Sequence, residues 1–95
     1  MNRREFTASG VKLGANPDGP LDHTVPVISV RGAAGRLKAV VFGYACHNTT
    51  PGSARRISAD YAGAAQLAIE RAFPGAAALF LQLCGGDQNP HPKGT

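Results

Sequence analysis

The fold of this chain is decided by residues 77–90, AALFLQLCGGDQNP, where an apolar run ends abruptly in a polar turn. A short apolar run that stops at glycines is typical of a buried strand. A second apolar run, residues 37–45, also ends in a polar turn, residues 46–50 with the sequence CHNTT. Loops that follow rigid strands often carry binding or catalytic residues. The two turns are therefore the first candidates for a functional site.

A helix is predicted between these two runs, over residues 59–73. Apolar residues recur there at helical spacing, and Pro74-Gly75 follows as a stop signal. Ser58 is expected to cap the first turn, and Asp60 suits the positive end of the helix. The helical stripe consists of Tyr61, Ala65, Ala68 and Ala72.

Strand, helix and strand in this order predict a βαβ crossover with two parallel strands. A hairpin is expected before it, formed by residues 25–30, a turn at residues 32–35 and the strand at residues 37–45. The predicted fold class is α/β, a β-hairpin followed by a βαβ crossover within a larger mixed sheet. Residues 1–24 are rich in turn formers and are predicted to be an extended loop.

Both polar turns then lie at the carboxyl ends of parallel strands, the edge where open α/β sheets bind ligands. The nearly continuous apolar run at residues 37–45 also predicts a strand buried on both faces. The side chains expected around one crevice are His47, Asn48, Asp60, Asp87 and Asn89.

Composition limits the classes of function. The 95 residues carry a formal charge of +4, and the positive residues are scattered, so nucleic acid is not expected as a partner. Cys46 and Cys84 fit no zinc-ribbon spacing, and two small buried residues are favoured over a disulfide. The stretch contains no apolar run of membrane-spanning length and no secretory signal.

Each candidate side chain also has a purely structural role to weigh. His47 is either a structural strand-end residue or a metal ligand. Asp87 either closes an Asx turn or orients another group, and Asp60 either caps the helix or lies in the site. His23 and His91 are predicted to be surface residues. No GxSxG motif offers a serine nucleophile.

Several motifs in order resemble the neutral/alkaline, non-lysosomal ceramidase family, in particular its bacterial ceramidase-like members. The resemblance covers almost the whole chain. Its motifs are Asn2-Arg3-Arg4, Asn16-Pro17, Asp22, then YACHNTT at residues 44–50, ISADYAG at 57–63 and GDQNP at 86–90.

The resemblance implies a zinc-dependent amidohydrolase that cleaves the N-acyl bond of ceramide or a related amide. It makes His47 a zinc ligand, Arg3 an active-site arginine that steadies the oxyanion, and Asp87 and Asn89 part of the catalytic motif. Zinc would polarise the amide carbonyl and lower the pKa of a bound water. A lipid or amide substrate, contact with a membrane surface and a secreted or periplasmic location are also implied.

Two departures from the family pattern keep other interpretations open. Asn89 stands where the family has a serine, and asparagine cannot do the proton transfer of a hydroxyl. The family's other zinc ligands, a histidine upstream and a glutamate and a tyrosine downstream, have no counterpart here. Residues 1–95 are accordingly interpreted as a fragment of one ceramidase-like catalytic domain. The alternatives are a non-catalytic binding protein or remnant, and a small structural α/β domain.

Overall fold

The computed structural model of the chain describes residues 2–7, 10–50 and 56–91, with side chains from residue 14 onward. The elements are β1 (Asn2–Thr7), β2 (Gly10–Ala15), β3 (Val27–Arg31), β4 (Leu37–Tyr44), α1 (Asp60–Ala72) and β5 (Ala77–Gln82).

The central sheet has the strand order β3-β4-β5. β3 and β4 form an antiparallel hairpin in which Ile28 lies opposite Val41. β4 and β5 are parallel, with Val41 opposite Leu79, and α1 forms the crossover between them. The predicted α/β fold, a hairpin followed by a βαβ unit in a mixed sheet, is confirmed.

The prediction of an extended loop over residues 1–24 is wrong for Asn2–Thr7 and Gly10–Ala15. β1 and β2 pair antiparallel there, with Asn2 opposite Ala15 and Phe6 opposite Val11, in a sheet separate from the central one. Strand pairing satisfies backbone groups whatever the side chains are. The glycines at positions 10 and 14 interrupted the apolar alternation by which a strand is predicted.

One face of the central sheet forms the core beneath α1. Phe42 is 8% exposed, and its ring meets that of Phe80 edge to face at a centroid distance of 5.4 Å. Tyr61 of α1 contacts Phe80 in the same manner at 5.7 Å. Such aromatic pairs add to the free energy gained from burial alone, so these rings fix the helix on the sheet.

Two side chains of α1 also cover the outer edge of β5. Gln66 Nε2 donates to the Ala78 carbonyl at 2.8 Å, and the Ala78 amide donates to Glu70 Oε1 at 3.1 Å. An edge strand otherwise presents unpaired backbone groups that pair readily with other chains. The helix thus completes the hydrogen bonding at the start of β5 as well as the core.

The opposite face of the sheet is apolar and open within the described part of the chain. Ile28, Leu79 and Leu81 are 62%, 50% and 54% exposed there. Val41 is only half-buried, so the predicted burial of β4 on both faces is wrong for these residues. α1 covers one face only, and among the described residues no helix is long and apolar enough to cross a membrane.

Phe42→Ala is expected to lower the free energy of unfolding by about 3 kcal/mol, because it removes a buried ring from the aromatic cluster. Leu81→Ala is the control on the open face and should cost less than about 1 kcal/mol. Urea unfolding followed by circular dichroism measures both. Equal losses would contradict the assignment of the core to the face beneath α1.

Candidate functional site

The two polar turns meet at the carboxyl ends of β4 and β5, as predicted. The His47 amide donates to the Gln88 carbonyl at 3.0 Å, and His47 Nε2 lies 3.2 Å from the Gly86 carbonyl oxygen. Leu83 donates to the Tyr44 carbonyl at 3.0 Å, which carries the strand pairing past the end of β5. The turns are therefore joined by backbone groups rather than by side chains alone.

Gly85 is required by close packing of backbone on backbone. A Cβ atom at Gly85 would lie 2.5 Å from the Cys46 nitrogen and 2.6 Å from the Ala45 carbonyl carbon. Gly86 has open space at the same position. Two explanations for this glycine pair were possible from the sequence: a positive φ angle, or close approach of another backbone segment. Close approach is the reason at Gly85, since neither glycine has a positive φ.

Asp60 ties the first turn to the start of α1. Its carboxylate accepts hydrogen bonds from the Thr50 amide at 2.8 Å, the Thr50 hydroxyl at 2.7 Å and the Tyr61 amide at 2.7 Å. The Asp60 backbone has φ 58°, a left-handed conformation that aspartate tolerates better than most residues. Ser58 Oγ accepts from the Asp60 amide at 3.0 Å, but the N-cap residue is Ala59, so the predicted capping of the first turn by Ser58 is wrong.

These hydrogen bonds determine the charge state of Asp60. Burial raises the pKa of the Asp60 carboxyl. The hydrogen bonds from Thr50 and Tyr61 together lower it by more than burial raises it, so the net pKa lies below its usual value. A carboxylate that accepts several hydrogen bonds is stabilised in its charged form. The tie between turn and helix therefore depends on ionised Asp60.

Asn48 and Tyr61 connect the first turn to the sheet and the helix. Asn48 Nδ2 donates to Gln82 Oε1 at 3.3 Å, and Asn48 Oδ1 accepts from the Ala62 amide at 3.2 Å. The Tyr61 hydroxyl donates to the Cys46 carbonyl. Burial raises the pKa of the Tyr61 hydroxyl, which remains a donor at neutral pH.

A polar crevice of about 630 Å³ opens beside the joined turns. Asn89 lines it, as predicted. His47, Asn48, Asp60 and Asp87 are not among its described walls. The first three hold the turns together, and Asp87 Oδ1 accepts from Gln88 Nε2 at 3.1 Å. The polar walls of the crevice are Asp22, His23, Tyr44, Thr50, Tyr61, Gln88, Asn89 and His91.

Several residues that line the crevice were not predicted from the sequence to be site residues. His23 and His91 are exposed, as predicted for surface residues, yet both border the crevice. Gln88 is 9% exposed, and its side chain also reaches the Pro20 carbonyl at 3.4 Å. Tyr44 had a usable signal, because alternation along β4 puts it on the same face as Val40 and Phe42.

An apolar groove of about 800 Å³ adjoins the crevice on the helix side of the sheet. Val27, Val40 and Phe42 form its sheet wall, and Ala68 and Ile69 belong to its helix wall. His23, Tyr44 and Tyr61 border both the groove and the crevice. The two cavities together form one amphipathic depression.

The predicted site residues lie on different elements of the structure. Arg3 lies in β1, opposite Gly14 of β2, in the separate two-stranded ribbon. Over the described ranges no group of three or more His, Cys, Asp or Glu side chains could hold a metal ion. These residues therefore do not form a zinc site by themselves, and His47 would be a single ligand.

Both cysteines are free thiols, as favoured from the sequence. Cys46 is buried, whereas Cys84 is exposed, so the expectation of burial is wrong for Cys84. Burial is the main cause that raises the pKa of the Cys46 thiol, with the Asp60 charge second, which makes this thiol a poor nucleophile.

Comparisons with protein-family models, with curated proteins and with solved structures gave no significant match for this chain.

Gly85→Ala is expected to destabilise the chain by about 2 kcal/mol or more, because its methyl group would overlap the Ala45–Cys46 backbone. Gly86→Ala is the matched control, with open space for a Cβ, and should change stability by less than about 1 kcal/mol. Thermal unfolding measures both variants. Equal tolerance of the two alanines would contradict the close approach.

Asp60→Asn is expected to cost about 1 kcal/mol at pH 7, because the charged acceptor of the Thr50 and Tyr61 hydrogen bonds is lost. The folded-state pKa of Asp60 is lowered, so its stabilisation is complete above the unfolded value of about 4 and disappears as the pH falls through the folded value. The difference between wild type and variant should therefore shrink below about pH 4.

Urea unfolding at a series of pH values measures this difference. Thr50→Val keeps the backbone donor but removes the hydroxyl donor, so it should show a smaller pH-dependent difference from wild type. A difference in the free energy of unfolding between wild type and Asp60→Asn that stays constant down to pH 2 would refute the role of the ionised carboxylate in these hydrogen bonds.

Proposed function

We propose that this chain forms the substrate-binding edge of an amidohydrolase of the neutral ceramidase type, which hydrolyses the N-acyl bond of ceramide or a related amide. The observation that carries the proposal is the continuity between the apolar groove and the polar crevice. A ligand that fills both needs an apolar chain joined to a polar head. N-acyl amides of long-chain bases have this composition.

The groove supports an apolar chain as its occupant. Its walls are mainly aliphatic and aromatic side chains, and the small side chains of Ala65 and Ala68 leave room along the helix. Binding sites for small molecules commonly combine such apolar walls with a few placed polar groups. More polar groups lie at the crevice end, beyond Tyr44, while Ser29 and Arg31 border the opposite end of the groove.

The crevice supports a polar head as its occupant. It lies at the carboxyl ends of β4 and β5, where α/β sheets commonly bind ligands. Asn89 is exposed on its wall and offers both an amide donor and an acceptor. The hydrogen bonds between Thr50 and Asp60, together with the close contact at Gly85, keep the turns in fixed positions beneath this head group.

Zinc remains part of the proposal through His47, whose imidazole lies between the two turns. Because the described residues offer no cluster of three ligands, the remaining ligands would have to come from outside them. Arg3 stays a proposed oxyanion-stabilising residue and Asp87 a proposed catalytic-motif residue. A lipid substrate would be reached at a membrane surface, and nucleic acid has no role in the proposal.

A second candidate function is a binding protein without hydrolytic activity. Two observations favour it: Asn89 stands where the family has a serine, and the described residues hold no group of three His, Cys, Asp or Glu side chains that could bind a metal. Such a protein would use the same groove and crevice and release no product.

The proposal predicts saturable binding of a ceramide that carries a fluorophore at the end of its acyl chain. Ala68→Trp should weaken this binding roughly tenfold or more, because the indole would fill the groove. Ala64→Trp is the matched control, since Ala64 is exposed on α1 and is not among the groove walls. Fluorescence titration measures the affinity of the wild type and of both variants for this ceramide. Equal affinities would refute the groove as the binding site of the acyl chain.

Product analysis with added zinc then separates the two candidate functions. Release of the labelled fatty acid that is lost in both His47→Ala and His47→Gln supports the amidohydrolase. The glutamine variant can keep a donor toward the Gly86 carbonyl, so its loss would reflect metal binding rather than turn structure. Ceramide binding without release of the fatty acid supports the non-catalytic protein. Fatty-acid release that appears in Asn89→Ser would identify residue 89 as the position that limits hydrolysis.

A further inference from the structure

His23 and Tyr44 form a hydrogen-bonded pair at the junction of the two cavities. His23 Nδ1 lies 3.2 Å from the Tyr44 hydroxyl oxygen, and both side chains border the groove and the crevice. A ligand that extends from one cavity into the other must pass this pair.

The position of His23 is set by the residues on either side of it. Asp22 Oδ1 accepts a hydrogen bond from the Thr24 amide at 2.9 Å, which forms an Asx turn around His23. This hydrogen bond is also the main cause that lowers the pKa of the Asp22 carboxyl. The imidazole is therefore presented to Tyr44 by an ordered local turn.

The pair is not needed to hold the fold together. His23 is exposed and Tyr44 is half-buried, and a hydrogen bond between such groups contributes little net stability because water competes for both partners. Tyr61 at the same junction differs, because its hydroxyl is already used by the Cys46 carbonyl. The polar atoms left for a ligand at this junction belong to His23 and Tyr44.

The pair offers one donor and one acceptor in either arrangement of its protons. If the Tyr44 hydroxyl donates to Nδ1, the imidazole Nε2–H remains a donor and the phenol oxygen an acceptor. If Nδ1–H donates instead, the phenol O–H is the donor and Nε2 the acceptor. A secondary amide carries the complementary set, one C=O acceptor and one N–H donor.

We infer that His23 and Tyr44 bind the amide head group of an N-acyl ligand and so position its apolar chain in the groove. This inference rests on the proposed function and adds to it the residues that select an amide over a plain hydrocarbon chain. A site built to hydrogen-bond a ligand discriminates strongly against an analogue that lacks the polar group.

The test compares two probes on the 95-residue chain: the fluorescent ceramide, and a hydrocarbon of the same length and fluorophore without the amide. Tyr44→Phe removes only the hydroxyl, and His23→Ala removes an exposed side chain that the fold does not require. Each variant should bind the ceramide roughly tenfold more weakly, whereas its affinity for the hydrocarbon should fall much less. The double variant should lose little more than either single variant, because the two residues act as a unit.

The outcomes separate this inference from the proposed function. Ceramide binding that is equal in wild type and both variants would overturn the role of the pair and leave the groove proposal standing. Equal weakening of both probes would assign the pair a structural role and overturn the inference as well. Absence of ceramide binding by the wild-type chain would overturn both proposals.

Discussion

Everything at the candidate site depends on how closely the Gly85 backbone approaches the Ala45–Cys46 peptide. Gly85 is buried, and a Cβ atom would lie 2.5 Å from the Cys46 nitrogen. This contact lets the segments that follow β4 and β5 run side by side, so that the His47 amide reaches the Gln88 carbonyl. A parallel strand pair normally diverges into separate loops, whereas here the loops stay paired and form one wall.

The polar residues around the joined turns divide into two groups with different tasks. Asn48 bonds to β5 and to α1, and Asp60 of α1 accepts from Thr50, and these hydrogen bonds fix the first turn. His23, Tyr44 and Asn89 face the crevice and keep polar atoms for a ligand. The contacts of each side chain make this division rather than its distance from a strand end, since Tyr44 ends β4 and Asp60 begins α1.

The sheet sets the character of the cavities. One face packs under α1 through Phe42, Phe80 and Tyr61, but this single helix packs on β5 and leaves the β3 side of that face open as the groove. The groove is apolar because the same strand alternation that builds the core continues beyond the helix. The crevice is polar because it begins where the strands stop. An amphipathic depression is thus a consequence of one helix covering only part of a sheet whose strands end in polar turns.

The order of elements from the hairpin onward, the two ends of the helix to within one residue, and the meeting of the two turns were all predictable from the sequence. Apolar runs, Pro74-Gly75 and the βαβ rule are local or topological signals, and they needed no tertiary contacts. Three features depend on tertiary contacts: β1 pairs with β2, His47 and Asp60 support the turns, and His23 contacts Tyr44 across 21 positions of sequence. Pairing partners and side-chain directions depend on distances between residues far apart in the chain, and no local pattern encodes those distances.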